Sequence, residues 1–265
     1  MTDGCPKCGY VRRPQDRSAP GECPSCGVFY EKYRQRQLRL TQSVPHAPDD
    51  VRDARISASS LASRAWAALW TVPDRVDQTA FAGRCAALAL VVVWGLWFAV
   101  QPWSSEAIGS SFLHSVNLPF HEFGHVLFRP FGEWMTFLGG SLFQCLWPML
   151  IGGYFVFKGQ PFSASICLWW SGQNFIDVAP YIGDARALSL PLIGEWSEEM
   201  AEFRAYRHDW HNILASLGWL GHDHSLARLS KFTGVLIMLL SWIWGGLLLR
   251  RQYARLSGDV FNERG

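Results

Sequence analysis

Three things are missing from this chain. It has little net charge, +2 over 265 residues, which argues against a protein that binds nucleic acid by bulk electrostatics. No apolar run occurs before about Phe81, too late for the hydrophobic stretch of a secretory signal, so the N-terminal region is expected to stay in the cytoplasm. Residues 85–128 contain no Lys or Arg, whereas residues 1–84 contain thirteen. Few soluble surfaces go so long without a basic side chain. The contrast predicts a basic N-terminal region followed by a domain embedded in a membrane.

Aromatic residues are abundant instead. Fourteen Trp and seventeen Phe exceed what a soluble protein of this size uses. The seven cysteines divide into a group of four, Cys5, Cys8, Cys23 and Cys26, and three others, Cys85, Cys145 and Cys167, that lie in apolar runs and read as small buried hydrophobes.

The group of four has the spacing of a zinc ribbon. Cys5-Pro-Lys-Cys8-Gly and Cys23-Pro-Ser-Cys26-Gly are two similar knuckles, each placing two thiolates in a tight turn. Gly9 and Gly27 supply the positive φ with which each knuckle turns back. Four thiolates close a tetrahedral shell, so this Zn²⁺ is structural, and metal binding supplies the folding energy that some thirty residues cannot supply from a core. The ribbon reads as a scaffold or a cytoplasmic protein-docking module, since Arg12, Arg13 and Arg17 alone make a weak case for nucleic acid. The predicted layout is a ribbon over 1–35, a helical extension and linker over 36–80, a membrane domain over 81–250 and a cytoplasmic tail over 251–265.

Within the membrane domain, apolar segments are expected at about Phe81–Val100, Ala107–Phe128, Trp134–Phe157, Phe162–Ile182 and Phe232–Leu249. The fold class is therefore mostly α, a polytopic helical membrane bundle of about four to six spans behind a small four-cysteine zinc ribbon. Basic residues at both ends place both termini in the cytoplasm, which five spans cannot satisfy. A tilted or re-entrant segment around Ile213–Leu220, or one of the five segments that does not cross, would resolve the parity.

Several ionisable residues in these segments need a reason to be there. His121-Glu122-Phe-Gly-His125 places two imidazoles four residues apart on one helix face, where they can share a Zn²⁺, with Glu122 set to act as general base on a water at that metal. Such a site takes a third protein ligand and leaves one position open. Asp177, in Asn174-Phe-Ile-Asp177, is the candidate by depth. Asp184 and His208 are the substitutes, and Asn174 is a candidate to hold substrate or the developing oxyanion. His114, seven residues before His121, shares its face and reads as a supporting polar group. The expected cofactors are two Zn²⁺, one catalytic and one structural.

His121-Glu-Phe-Gly-His125, followed two segments later by Asn174-x-x-Asp177, resembles the site-2 protease superfamily of intramembrane zinc metallopeptidases, in particular its compact bacterial M50-type members. Gly139-Gly140 and Gly152-Gly153 in the intervening segment are similar to that family's core. The resemblance covers about residues 107–185. It implies zinc on His121, His125 and Asp177, Glu122 as the base, and peptide-bond cleavage in membrane-associated substrates. The sequence departs from the family where Asp177 is followed by Val178 rather than Gly, and it shows no PDZ-like insertion. Two other readings remain open here. One is a non-catalytic membrane adaptor that keeps the metal site. The other is a di-iron oxygenase or desaturase that uses His121/His125, His208/His211 and His222/His224 as histidine boxes.

Overall fold

The computed structural model describes residues 4–42, 53–193, 197 and 203–262. The chain divides into two units, Met1–Ser60 and Leu61–Gly265. Among the described residues the structure is helical, with one isolated β-bridge between Glu22 and Phe29.

In the first unit the two cysteine knuckles have matching backbones. Gly9 N–H donates to the Cys5 carbonyl and Gly27 N–H to that of Cys23, while Cys5 and Cys23 donate to Tyr10 and Val28. Gly9 and Gly27 have φ of 75° and 68°, the left-handed region where a side chain is strained. A helix follows, α1 (Tyr30–Gln42), as the charged sequence after the ribbon predicts. Within the helical extension and linker expected over 36–80, residues 43–52 lie outside the described residues, and α2 (Asp53–Leu69) is helical.

The second unit contains α3 (Gln78–Val100), α4 (Glu106–Gly109), α5 (Phe112–Phe128), α6 (Glu133–Phe157), α7 (Pro161–Gly183), α8 (Arg204–Arg207), α9 (Asp209–Ser216) and α10 (Asp223–Asn262). Short polar residues set the starts. Asp77 caps α3 by accepting from Ala80 N–H at 2.7 Å, and Ser111 caps α5 by accepting from His114 N–H at 3.2 Å. Because α10 continues to Asn262, the tail expected over 251–265 is largely the last turns of a helix.

Helix α7 is central: 16 of its 23 residues are buried, against neighbours α6, α10 and α3. The α7–α10 crossing is set by glycines. A Cβ on Gly172 would lie 2.7 Å from the Gly234 carbonyl oxygen, and one on Gly234 would lie 2.4 Å from that of Gly172, so the two backbones touch. The α5–α6 crossing is built the same way, with a Cβ on Gly124 falling 2.2 Å from the Gly139 oxygen.

The distribution of polarity is inverted relative to a soluble bundle. Asn117, Gln144, Gln173, Asn174, Asp177 and Ser241 are buried, while Leu90, Val93, Leu96, Leu150, Phe157, Leu240 and Ile243 are exposed. An apolar exterior over a polar interior suits a hydrocarbon solvent. Three stretches among the described residues are long and apolar enough to cross a membrane: Gln78–Val100, Glu133–Phe157 and Leu220–Leu256. Helix α7 falls short in apolarity because its Ser171, Gln173, Asn174 and Asp177 supply the polar interior. Being covered on most sides, it has little need of a lipid-facing surface.

Gly172→Leu is expected to force α7 and α10 apart and lower the melting temperature of the detergent-solubilised protein, overpacking of this kind costing at least about 1–3 kcal/mol. Gly153→Leu, where no atom lies within 4 Å of the added Cβ, is expected to leave it within a degree or two. Thermal unfolding followed by circular dichroism tests both.

Candidate metal centre

Helix α5 carries His121, Glu122 and His125, and its buried face runs through Leu113, Asn117, His121 and Gly124. Pro119 lies inside this helix, two residues before His121, and removes one backbone donor there. Helix α6 crosses closest where it lacks side chains. A Cβ on Gly140 would sit 2.6 Å from His125 Nε2 and 2.7 Å from His121 Nε2, so the glycine makes room for both imidazole edges. The Gly139-Gly140 pair therefore has a steric task at the site, while Gly153 meets nothing.

The third group at this point is Asp209, the first residue of α9. Its Oδ2 lies 3.1 Å from His121 Nε2 and 3.2 Å from His125 Nε2. His208 positions it by capping α9, its Nδ1 accepting from His211 N–H at 3.1 Å. Burial pushes the His208 pKa down to about 4 against the pull of Asp184 and Asp209, so the ring is neutral at pH 7 and free to accept. Tyr181 holds Asp209 from α7, its hydroxyl donating to Oδ2 at 3.2 Å and accepting the Asp209 N–H at 3.0 Å.

The hydrogen bonds on the far sides of the rings define the chemistry. His125 Nδ1 lies 2.7 Å from the Thr136 carbonyl oxygen, which only accepts, so Nδ1 carries the proton. His121 Nδ1 lies 3.0 Å from Gln144 Oε1, which also only accepts. Both Nε2 atoms thus turn lone pairs towards a carboxylate oxygen that is itself an acceptor. Either extra protons or one cation must sit between them, and a single cation satisfies all three groups together. The set also fits zinc. Ligand atoms about 2.0–2.2 Å from a tetrahedral ion are separated from one another by roughly 3.3–3.6 Å, and the observed 3.1 and 3.2 Å lie just below that range.

Asp177, expected as the third ligand, is elsewhere. Its carboxylate accepts from Asn117 Nδ2 at 3.0 Å and Gln144 Nε2 at 2.9 Å, and pairs with His114 Nδ1 at 3.1 Å. With its side chain fully buried and three partners in place, it belongs to the layer behind the histidines. The two substitutes also have other tasks. Asp184 accepts from the N–H groups of Ser189 and Leu190, and His208 is the helix cap. Asn174, expected near the reacting atoms, donates to the Trp170 carbonyl of its own helix at 3.0 Å and does not line the cavity. Glu122 does, together with His121, His125 and Asp209, in a cavity of about 1040 Å³. The segment Leu190–Ile193 forms one wall; Arg207 donates to the Ile193 carbonyl at 2.6 Å, and Arg204 to that of Leu188 just before the wall.

Asp209 stands in the sequence between His208 and a second nearby histidine, His211, both more conspicuous as ligands than the carboxylate beside them. It follows the stretch Glu195–Glu202, which apart from Ser197 lies outside the described residues. Among the described residues, His208, His211, His222 and His224 join no metal-ligating cluster, so the histidine boxes of a di-iron site do not assemble.

The four ribbon cysteines converge as their spacing predicts. Cys5 and Cys26 Sγ are 3.7 Å apart, as are Cys8 and Cys23, and all four lie within 4.8 Å of one another. Thiolates about 2.3 Å from a tetrahedral zinc stand roughly 3.75 Å apart. Burial opposes ionisation of Cys23, but the N–H groups of Cys26 and Ser25 bring its thiol down. Against the Val28 N–H, the neighbouring sulfurs push Cys26 up, so a cation is needed for all four to be thiolates together. The group could hold one metal ion. Comparisons of this chain with protein-family models, curated proteins and solved structures give no match.

Purified full-length protein is expected to hold about two equivalents of zinc. Asp209→Ala or His125→Ala should lower this to about one, and Asp184→Asn should leave it at two. Elemental analysis after gel filtration decides, and a full content in Asp209→Ala would return the third ligand to another residue.

Proposed function

We propose that this chain is an intramembrane zinc metalloprotease of the site-2 protease type. The observation that carries the reading is the convergence of His121 Nε2, His125 Nε2 and Asp209 Oδ2, with the Glu122 side chain lining the same cavity. Two histidines and a carboxylate, with one position left open, form a catalytic rather than a structural donor set.

His121, His125 and Asp209 would hold the ion. When bound, zinc lowers the pKa of a coordinated water to about 7 and polarises a carbonyl oxygen. Glu122 follows His121 on α5 and lines the same cavity. As a carboxylate it takes a proton from the attacking water, and as a carboxylic acid it returns that proton to the leaving amine. Tyr181 and His208 keep Asp209 in position, and Gly140 keeps the imidazole edges clear. The cavity has the size of a large ligand site and accommodates a segment of chain. A membrane helix entering it must first unwind, because its amides are already paired within the helix.

The substrates are membrane proteins or membrane-associated peptides in a bacterial inner membrane. Helices α5 and α7 are embedded alongside the three apolar spans, the N-terminus is cytoplasmic, and the zinc ribbon docks protein partners there.

Co-expression with a panel of tagged single-span membrane proteins tests the reading. Wild type is expected to yield truncated products, and Glu122→Gln to lose them by a factor of about 10² or more while retaining its zinc. Cleavage by Glu122→Gln at the wild-type rate would overturn the assignment of the base.

A further inference from the structure

Asp177 takes no part in the proposed metal shell, yet its buried carboxylate has three side-chain partners from two other helices. We infer that Asp177 is a positioning residue for the metal centre, acting through Gln144 to fix the tautomer of His121. The inference rests on the metal centre proposed above and deepens it.

Donors and acceptors constrain one another from group to group along this layer. Trp170 Nε1 only donates, and it donates to Asn117 Oδ1 at 2.8 Å. This sets the orientation of the Asn117 amide and turns its Nδ2 towards Gln173 Oε1 at 2.9 Å and Asp177 Oδ2 at 3.0 Å. Asp177 Oδ2, which takes the Asn117 N–H, acts as an acceptor. Gln144 must therefore present its amide N–H to Asp177 Oδ2, as it does at 2.9 Å, and turn Oε1 the other way. Oε1 faces His121 Nδ1 at 3.0 Å and can only accept. The proton of His121 is thereby held on Nδ1, leaving the Nε2 lone pair facing Asp209 and His125.

Without this chain the neutral ring could place its proton on Nε2, where it would donate to Asp209 and block a metal. His125 has no need of such a chain, because the Thr136 carbonyl, a fixed backbone acceptor, holds its proton on Nδ1. His121 has no backbone acceptor in the same role. An amide side chain could serve in either orientation, and Asp177 removes the choice.

Zinc affinity of the full-length protein, measured by chelator competition with zinc as the only probe, tests this. The ribbon's four-cysteine site provides an internal reference that should not move. Gln144→Met keeps the length but replaces the amide oxygen with a thioether that accepts only weakly, and is expected to weaken the membrane centre about 10–100-fold. Asp177→Leu is expected to weaken it comparably, and the double variant no further than either single one, since both act through the same bond. Asp177→Asn is expected to stay within a few-fold of wild type. Its amide oxygen can still accept from Gln144 and Asn117, while His114 changes tautomer to accept from the new amide N–H.

Unchanged affinity in Gln144→Met, or additive losses in the double variant, would overturn the inference while leaving the metal centre in place. Loss of the centre in Asp177→Asn would also overturn it, marking Asp177 as a direct ligand or its charge as indispensable. A wild-type chain that holds zinc only at the ribbon would overturn the centre and this inference with it.

Discussion

A carboxylate with no exposed side-chain surface lies in the middle of an apolar bundle, and much of the second unit is arranged around it. Asp177 projects from α7 and receives its donors from two other helices, His114 and Asn117 from α5 and Gln144 from α6. A buried charge costs several kcal/mol unless it is paired and hydrogen-bonded. Sliding any one of the three helices by a turn would remove a donor. The bonds therefore fix the register of α5, α6 and α7, and that register brings the two histidines against α6 at Gly140. The glycine contacts at Gly124 with Gly139 and at Gly172 with Gly234 make the close approach sterically possible. Attraction and clearance are thus supplied by different residues.

The metal centre is built outward from this layer. His121 and His125 come from one helix, but their far nitrogens are held by different acceptors, a side-chain amide and a backbone carbonyl. The carboxylate that completes the set arrives on a short helix capped by His208 and tied to α7 through Tyr181. The site therefore combines a rigid half, on long packed helices, with a half carried by eight residues of α9 next to the loop that walls the cavity. Such a division puts both imidazoles on packed helices and the carboxylate beside the cavity wall.

Much of this is legible along the chain. The ribbon needs only local spacing, because each knuckle closes on itself within six residues and metal chemistry dictates what four thiolates do. The His-Glu-x-x-His face follows from helix periodicity alone. Of the five apolar segments expected from composition, three fall in helices long and apolar enough to cross a membrane, and α5 and α7 do not reach that mark; α2 begins inside the predicted linker region and α10 runs into the predicted tail. The third ligand is not legible, for a definite reason. Depth in an apolar segment makes Asp177 conspicuous, but a buried carboxylate can be satisfied by amide and imidazole donors as well as by a metal, and one-dimensional order does not distinguish the two. Asp209 looks peripheral because it follows an acidic stretch.

The sequence by itself determined the elements and the chemistry available to them: a pair of two-cysteine knuckles, apolar helices, a helical face with two imidazoles and a carboxylate beside them. These depend on interactions within a few residues, where spacing is geometry. Which carboxylate meets the imidazoles, and which stands behind them, was decided only by tertiary structure. His121 and Asp209 are 88 positions apart, and their meeting depends on two glycine crossings, a tyrosine bridge and a helix cap that no local pattern encodes.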